Sequence, residues 1–255
     1  MRLLLVPLAA VLLVACEPPP PTAQGDADAL ALIERSRARH GSDALDQAEI
    51  RFSFRGTPFV LRRDGATFRY ARTLEDGSQT VEEVVDNDGV HRFVDGVEVE
   101  VSPDEAERID TAVNSVAYFM LLPAPLTDGA VRARSLGADS VGGASYDRVE
   151  VTFAQEGGGF DYQDRYVYWL RDDGQIGHFA YSYEPNPADT SRNETGTRFR
   201  VPISEQRVDG VLFQDWRNLS ADSLDALEDF GDAYDAGLTF DISEVVLDSI
   251  RITPL

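Results

Sequence analysis

The chain has 255 residues, 43% of them hydrophobic, with 23 basic against 45 acidic side chains and a net charge of −22. So acidic a surface repels phosphate backbones and anionic headgroups, which argues against a nucleic-acid partner. Every basic residue is arginine, a composition that points to a high-salt or GC-rich source, and the length suits one large domain or two small ones.

Met1-Arg2 opens an apolar run from Leu3 to Val14 that closes on Ala15-Cys16. It is too short to span a bilayer, and Glu17 with Pro18 to Pro21 stops it, so it reads as a cleavable export signal. Leu13-Val14-Ala15-Cys16 resembles a lipobox; the alternative is an ordinary signal peptide with an incidental cysteine. In bacterial lipoproteins the pattern implies diacylglycerol on the Cys16 thiol, removal of residues 1–15 and acylation of the new amino terminus. Several acyl chains hold far more firmly than one, so the mature protein is expected on a membrane. Glu17, where inner-membrane retention calls for aspartate, favours the outer membrane. Cys16 is the only cysteine, so no disulfide is available.

Residues 16–27 are Pro-rich and small, an extended tether ahead of a domain over 28–255. Asp26 or Asp28 is placed to cap a helix through Leu30, Ile33 and Arg37 that stops at His40-Gly41. From Ala48 the period becomes two: Ile50, Phe52 and Phe54 alternate with Arg51, Ser53 and Arg55, and Phe59, Leu61, Phe68 and Tyr70 continue a meander. Asp95-Gly96 turns into Val97, Val99 and Val101.

Ser102-Pro103-Asp104-Glu105 supplies an N-cap, a proline at the first helical position and a capping-box glutamate. Ile109, Ala112, Val113, Val116, Phe119 and Met120 mark the apolar stripe of the helix, and Pro123 and Pro125 end it. Tyr118 to Leu122 are apolar on every side, so they are buried or face a ligand. Strand patterns resume from Val131, clearest at Val149-Val151-Phe153, Tyr166-Tyr168-Leu170, Phe179-Tyr181-Tyr183, Phe199-Val201-Ile203 and Ile250-Ile252. A helix with Leu224, Leu227, Phe230 and Tyr234 interrupts them. The pattern predicts a mainly β fold with helices (α+β). Its expected form is a single curved antiparallel sheet or half-barrel of about ten strands with helices on its concave face.

Two resemblances follow. Arg39-His40-Gly41-Ser42-Asp43, Ala112 to Phe119, Gly157-Gly158-Gly159-Phe160-Asp161 with Tyr168-Trp169, and Gly196-Thr197-Arg198-Phe199-Arg200 resemble an uncharacterised family of bacterial lipoproteins, a domain of unknown function. The order of helix, Phe-rich meander, mid-chain helix and late strands resembles the LolA-type fold of lipoprotein carriers. That resemblance implies a half-barrel over an apolar cavity that in several members holds acyl chains.

Tests for catalysis find little. Gly137 to Gly142 has one residue too many before Ser140 for a nucleophile elbow. His40, His91 and His178 are scattered without zinc-ligand spacing. Asp86-Asn87-Asp88-Gly89 lacks the flanking ligands of a calcium loop and reads as a turn. Asp161 and Asp164 are a candidate cation or acid-base pair, or a solvated strand start. An enzyme of unrecognised type needs them to converge with His178.

No cofactor, metal site or catalytic residue is therefore expected. The expected protein is a non-enzymatic envelope lipoprotein lipidated at Cys16. It binds a lipid or other apolar ligand in a cavity for which Tyr118, Phe119, Met120, Leu122, Tyr168 and Trp169 are the lining candidates. The alternative is a structural lipoprotein with a solid core that binds an envelope protein partner.

Overall fold

The computed structural model describes residues 22–183, 196–222, 224 and 226–255. Cys16, the expected signal and residues 16–21 of the expected tether lie outside the described residues. β1 (Gln24–Gly25) and α1 (Ala27–His40) lead into a meander of β2 (Gln47–Phe54), β3 (Thr57–Asp64), β4 (Thr67–Asp76), β5 (Gln79–Asp86), β6 (Gly89–Val94) and β7 (Val97–Val99). After α2 (Pro103–Leu121) come β8 (Val131–Val141), β9 (Ala144–Phe153), β10 (Arg165–Leu170) and β11 (Ile176–Tyr183). β12 (Gly196–Val208), β13 (Val211–Ala221), a short α3 (Phe230–Asp235), β14 (Thr239–Val245) and β15 (Leu247–Pro254) follow.

The class is mainly β with helices, as the periodicity predicts. One sheet of about ten strands is corrected to fifteen described strands in two open sheets, ordered β1-β8-β9-β10-β11-β12-β13-β14 and β15-β2-β3-β4-β5-β6-β7. Right-handed twist accumulates strand by strand, so a sheet this wide splits rather than continuing. The break falls at Val246, where the chain leaves β14 beside β13 and starts β15 beside β2. Apart from the two-residue pairing of β1 with β8, the ladders are antiparallel.

Both long helices start where their caps dictate. The Asp26 side chain accepts from the Ala29 amide at 2.8 Å, and Gly41, at φ 73°, ends α1 in the left-handed conformation that glycine takes freely. Ser102 and Glu105 form the expected capping box on α2. Thr22 already bridges Asp128, ahead of the expected domain boundary at 28. The small residues there allow it: a β-carbon on Gly25 would lie 2.2 Å from the Ala133 carbonyl oxygen.

α1 packs on β8, β9 and β13, whereas α2 packs on β4, β5 and β6 of the other sheet. Ile109, Val113, Ala117 and Leu121 of α2 meet Ile50, Phe52, Phe59, Leu61 and Val85 in one core. Ala29, Leu32 and Ile33 of α1 meet Val149, Val151, Tyr168, Leu170 and Phe179 in a second. α3 departs from the expected placement. It covers the outer face of the eight-stranded sheet, where Phe230 joins Trp169, Phe199, Val167 and Leu219 in a third core. Asp86 to Gly89 form a tight β5–β6 turn, as expected, with the Asn87 Oδ1 accepting from the Phe68 amide at 2.7 Å. Among the described residues no helix is long and apolar enough to cross a membrane.

Candidate functional site

Alternation along β10 to β13 sorts side chains between two faces. Tyr166, Phe179, Tyr181, Arg198, Arg200, Trp216 and Asn218 lie on the inner face, while Val167, Trp169, Ala180, Phe199 and Leu219 lie on the outer one. α2 leans on the seven-stranded sheet and meets β11 through Phe119 near its C-terminal end, and α1 reaches β13, so the inner face of β11 to β14 is only partly covered. The result is a part-open cleft of about 1070 Å³, slightly above the roughly 300–1,000 Å³ common for ligand pockets.

The cleft is walled by aromatic rings. The Phe119 ring centroid lies 5.3 Å from that of Tyr181 and 5.8 Å from that of Phe179, and Tyr118 lies 5.2 Å from Tyr166. Phe54, Phe59, Phe153, Val116, Trp216, Ile242, Val245 and Leu247 add apolar lining. The Tyr118 and Tyr168 hydroxyls are 2.9 Å apart and share one hydrogen bond, in which either can donate. Burial pushes both phenols up, and Tyr166 with them, so all three stay neutral donors across the physiological range.

Of the expected lining residues, Tyr118, Phe119 and Met120 face the cleft. Tyr168 sits one layer behind, buried, and touches the cleft wall through its bond to Tyr118 and its stacking on Tyr166 at 6.0 Å. Leu122 follows the end of α2 and packs in the α1 core. Trp169 is corrected outright: it occupies the outer face, 0% exposed, with Nε1 donating to Asp139 at 2.9 Å. Adjacent strand residues point to opposite faces, so Tyr168 and Trp169 were never able to share a cavity.

Asp161 and Asp164 line the cleft at its β9–β10 end. His178 does not join them; it stacks on Phe199 at 5.3 Å on the outer face. Burial lowers His178 to about 4, as it does His40, so both rings are neutral at pH 7. The acid-base trio is therefore not assembled. Asp110, buried on α2, is raised to about 7 by desolvation first and then by the charges of Asp161 and Glu107. Among the described residues no group of three or more His, Cys, Asp or Glu is placed to hold a metal ion.

The cleft is also cationic, which the composition gives no reason to expect. Arg55, Arg72, Arg108, Arg198 and Arg200 line it against the two aspartates. Arg72 pairs with the buried Glu83, whereas Arg55 and Arg198 lie over the rings of Phe54 and Tyr183 at 5.0 and 5.2 Å. Arg200 is only 5% exposed. Its Cζ lies 5.0 Å from the Phe119 centroid and 5.6 Å from that of Tyr181, and Nη2 donates to the Tyr181 hydroxyl at 2.9 Å. Nε and Nη1 have no hydrogen-bond partner among the described residues. Ring contacts worth about 0.5–2 kcal/mol each offset only part of the desolvation of a guanidinium.

Residues 43–244 match a family of proteins described as a family of unknown function, DUF6503. The chain belongs to the DUF6503 family. A comparison with curated proteins finds no match. Among solved structures, this DUF6503 chain is similar to a DUF1329 family protein from Desulfovibrio piger, at 12% identity over 88% of this chain and 92% of that one, with a TM-score of 0.37. It is similar to a domain named for outer-membrane lipoprotein sorting from Vibrio parahaemolyticus, at 10% identity over 88% and 92%, TM-score 0.35. The Mycobacterium tuberculosis lipoprotein LppX overlaps 62% of this chain and 89% of its own, at 13% identity and TM-score 0.27. The resemblance to an uncharacterised family thus has its counterpart in the family match. At such scores no residue correspondence follows, and the chemistry of the DUF6503 cleft rests on its own side chains.

Arg198, Arg200, Tyr181, Trp216 and Asn218 line the cleft without being among the lining candidates expected from the sequence. A signal was present in Thr197-Arg198-Phe199-Arg200, where alternation puts both arginines opposite the buried Phe199. Such a face ordinarily reads as solvent.

Proposed function

We propose that this protein is a non-enzymatic lipoprotein of the bacterial cell envelope that binds an acyl-chain or other apolar ligand in the cleft between α2 and the eight-stranded sheet. The observation that carries this reading is the cleft itself, about 1070 Å³ with walls built largely of Phe, Tyr, Val and Trp side chains. Tyr118, Phe119 and Met120 form its α2 wall. Lipid on Cys16 anchors the chain, and the outer membrane is the proposed site. The six residues from Cys16 to Pro21 span at most roughly 20 Å, which holds the domain close to the bilayer.

Native mass spectrometry of the mature polypeptide from Glu17, exported without lipid and kept free of detergent, tests the cleft. The expected result is a stoichiometric lipid mass recoverable by solvent extraction. A bare protein mass with no uptake of added fatty acid overturns it. For the anchor, acyl label is expected on the native chain and absent from Cys16→Ser; label retained by that variant overturns the assignment.

A second reading, a structural lipoprotein that binds an envelope partner, has one observation in its favour. β14 is an edge strand, and Phe240 and Ile242 on it are 44% and 46% exposed. Unpaired backbone beside apolar side chains is a template for strand addition.

A further inference from the structure

We infer that the cleft recognises an oxyanion at the head of an acyl chain, held by a polar row that crosses β12, β13 and β14 at Arg200, Asn218 and Ser243. The inference rests on the acyl-binding reading and names the chemistry at one end of that ligand.

Register builds the row. Arg200 is the cross-strand partner of Asn218, and Asn218 is the partner of Ser243. All three line the cleft. The Asn218 amide already donates to the Ser243 hydroxyl at 3.2 Å, which leaves that hydroxyl free to donate onward. Arg198, two residues before Arg200 on the same face, adds a second cation.

Arg200 is what points to a ligand. It is 95% buried by residue area, lines an aromatic cleft, and has two guanidinium nitrogens without a partner among the described residues. Elsewhere in the molecule, buried arginines meet carboxylates: Arg37 pairs with Asp43 and Asp46, and Arg63 with Asp128. With 45 acidic residues in the chain, the lack of a carboxylate against Arg200 among the described residues is conspicuous. A planar guanidinium with free donors matches a carboxylate or phosphate oxygen pair. Phe119 and Tyr181, which flank it, continue into the apolar walls where the chain of the same ligand would lie. Because Nε and Nη1 are covered in this structure, binding requires a side-chain shift of the flanking rings.

The test compares laurate with dodecanol, two probes of one chain length that differ in the charged head, by calorimetric titration of the mature polypeptide from Glu17. Laurate is expected to bind roughly tenfold or more tighter than dodecanol, the scale of a charge-assisted contact. Arg200→Gln is expected to erase that ratio while dodecanol binding persists. Ser243→Asp, at a half-buried position near the sheet edge, keeps Arg200 intact, sets a carboxylate in the row and is expected to weaken laurate alone. Equal binding of both probes by the native chain, or an unchanged ratio in both variants, overturns the headgroup assignment and leaves the acyl cleft standing. No binding of either probe overturns the acyl-binding reading itself. Acetate displacing laurate at equal concentration overturns the amphiphile in favour of a small free anion.

Discussion

The two faces of the eight-stranded sheet are made from alternate residues of the same strands, yet one is filled and the other holds a cleft. On the outer face the short α3 fits against the strands: Phe230 stacks on Phe199 at 5.3 Å, and a β-carbon added at Gly231 would lie 2.9 Å from the Val141 side chain. On the inner face α1 closes only part of the sheet, and the long α2 belongs to the other sheet. Side-chain size does not separate the faces, since both are rich in aromatic rings. What differs is how fully a helix closes over the strands, so the cleft is a property of the covering and not of the covered surface.

The sharpest way to break this contrast is to remove bulk from each face. Trp169→Ala on the filled face is expected to cost about 3–5 kcal/mol, because it deletes a fully buried indole and removes the Nε1 donor to Asp139, which keeps only its pairing with Arg148. Phe119→Ala in the cleft should cost well under half of that, since part of its ring already borders open space. Urea denaturation of both variants checks this, and equal losses would mean that the cleft is packed as tightly as the outer core.

Acid sharpens the same difference. His178 belongs to the filled face, and its folded-state value of about 4 lies below the ordinary 6.5. Protonation therefore favours the unfolded chain, so its contribution is intact above pH 6.5 and fades as the pH falls towards 4. The loss is on the order of 3 kcal/mol, and His40, lowered to about 4 as well, adds in the same direction. Denaturation midpoints between pH 7 and pH 4 are expected to fall less steeply in His178→Gln. An unchanged slope would place His178 in contact with water.

The smallest effects come from adding atoms. Gly231→Ala adds one carbon to the filled face and is expected to cost about 1–2 kcal/mol through overpacking. Ala112→Trp adds a whole ring system to the cleft wall and should shift stability by less than about 1 kcal/mol. The same ring is expected to cut laurate uptake in calorimetry, so a variant that keeps both its stability and its binding would show that Ala112 lies off the ligand path.

Much of this was legible in the chain. The Asp26 and Ser102 caps, the Gly41 stop, the strand faces and the apolar end of α2 at Tyr118, Phe119 and Met120 follow from local rules of capping and period, which need only neighbours in sequence. The split into two sheets did not follow, because twist accumulates over many strands and leaves no mark at Val246. The Trp169 error had a different cause, the treatment of a strand apolar on both sides as though both sides met one cavity. Arg198 and Arg200 show the limit most clearly. Alternation determined that they share a face opposite Phe199; only the tertiary structure decided that this face is walled by α2 and turned into a cleft, because a strand pattern specifies which side chains point together and nothing in it specifies what will cover them.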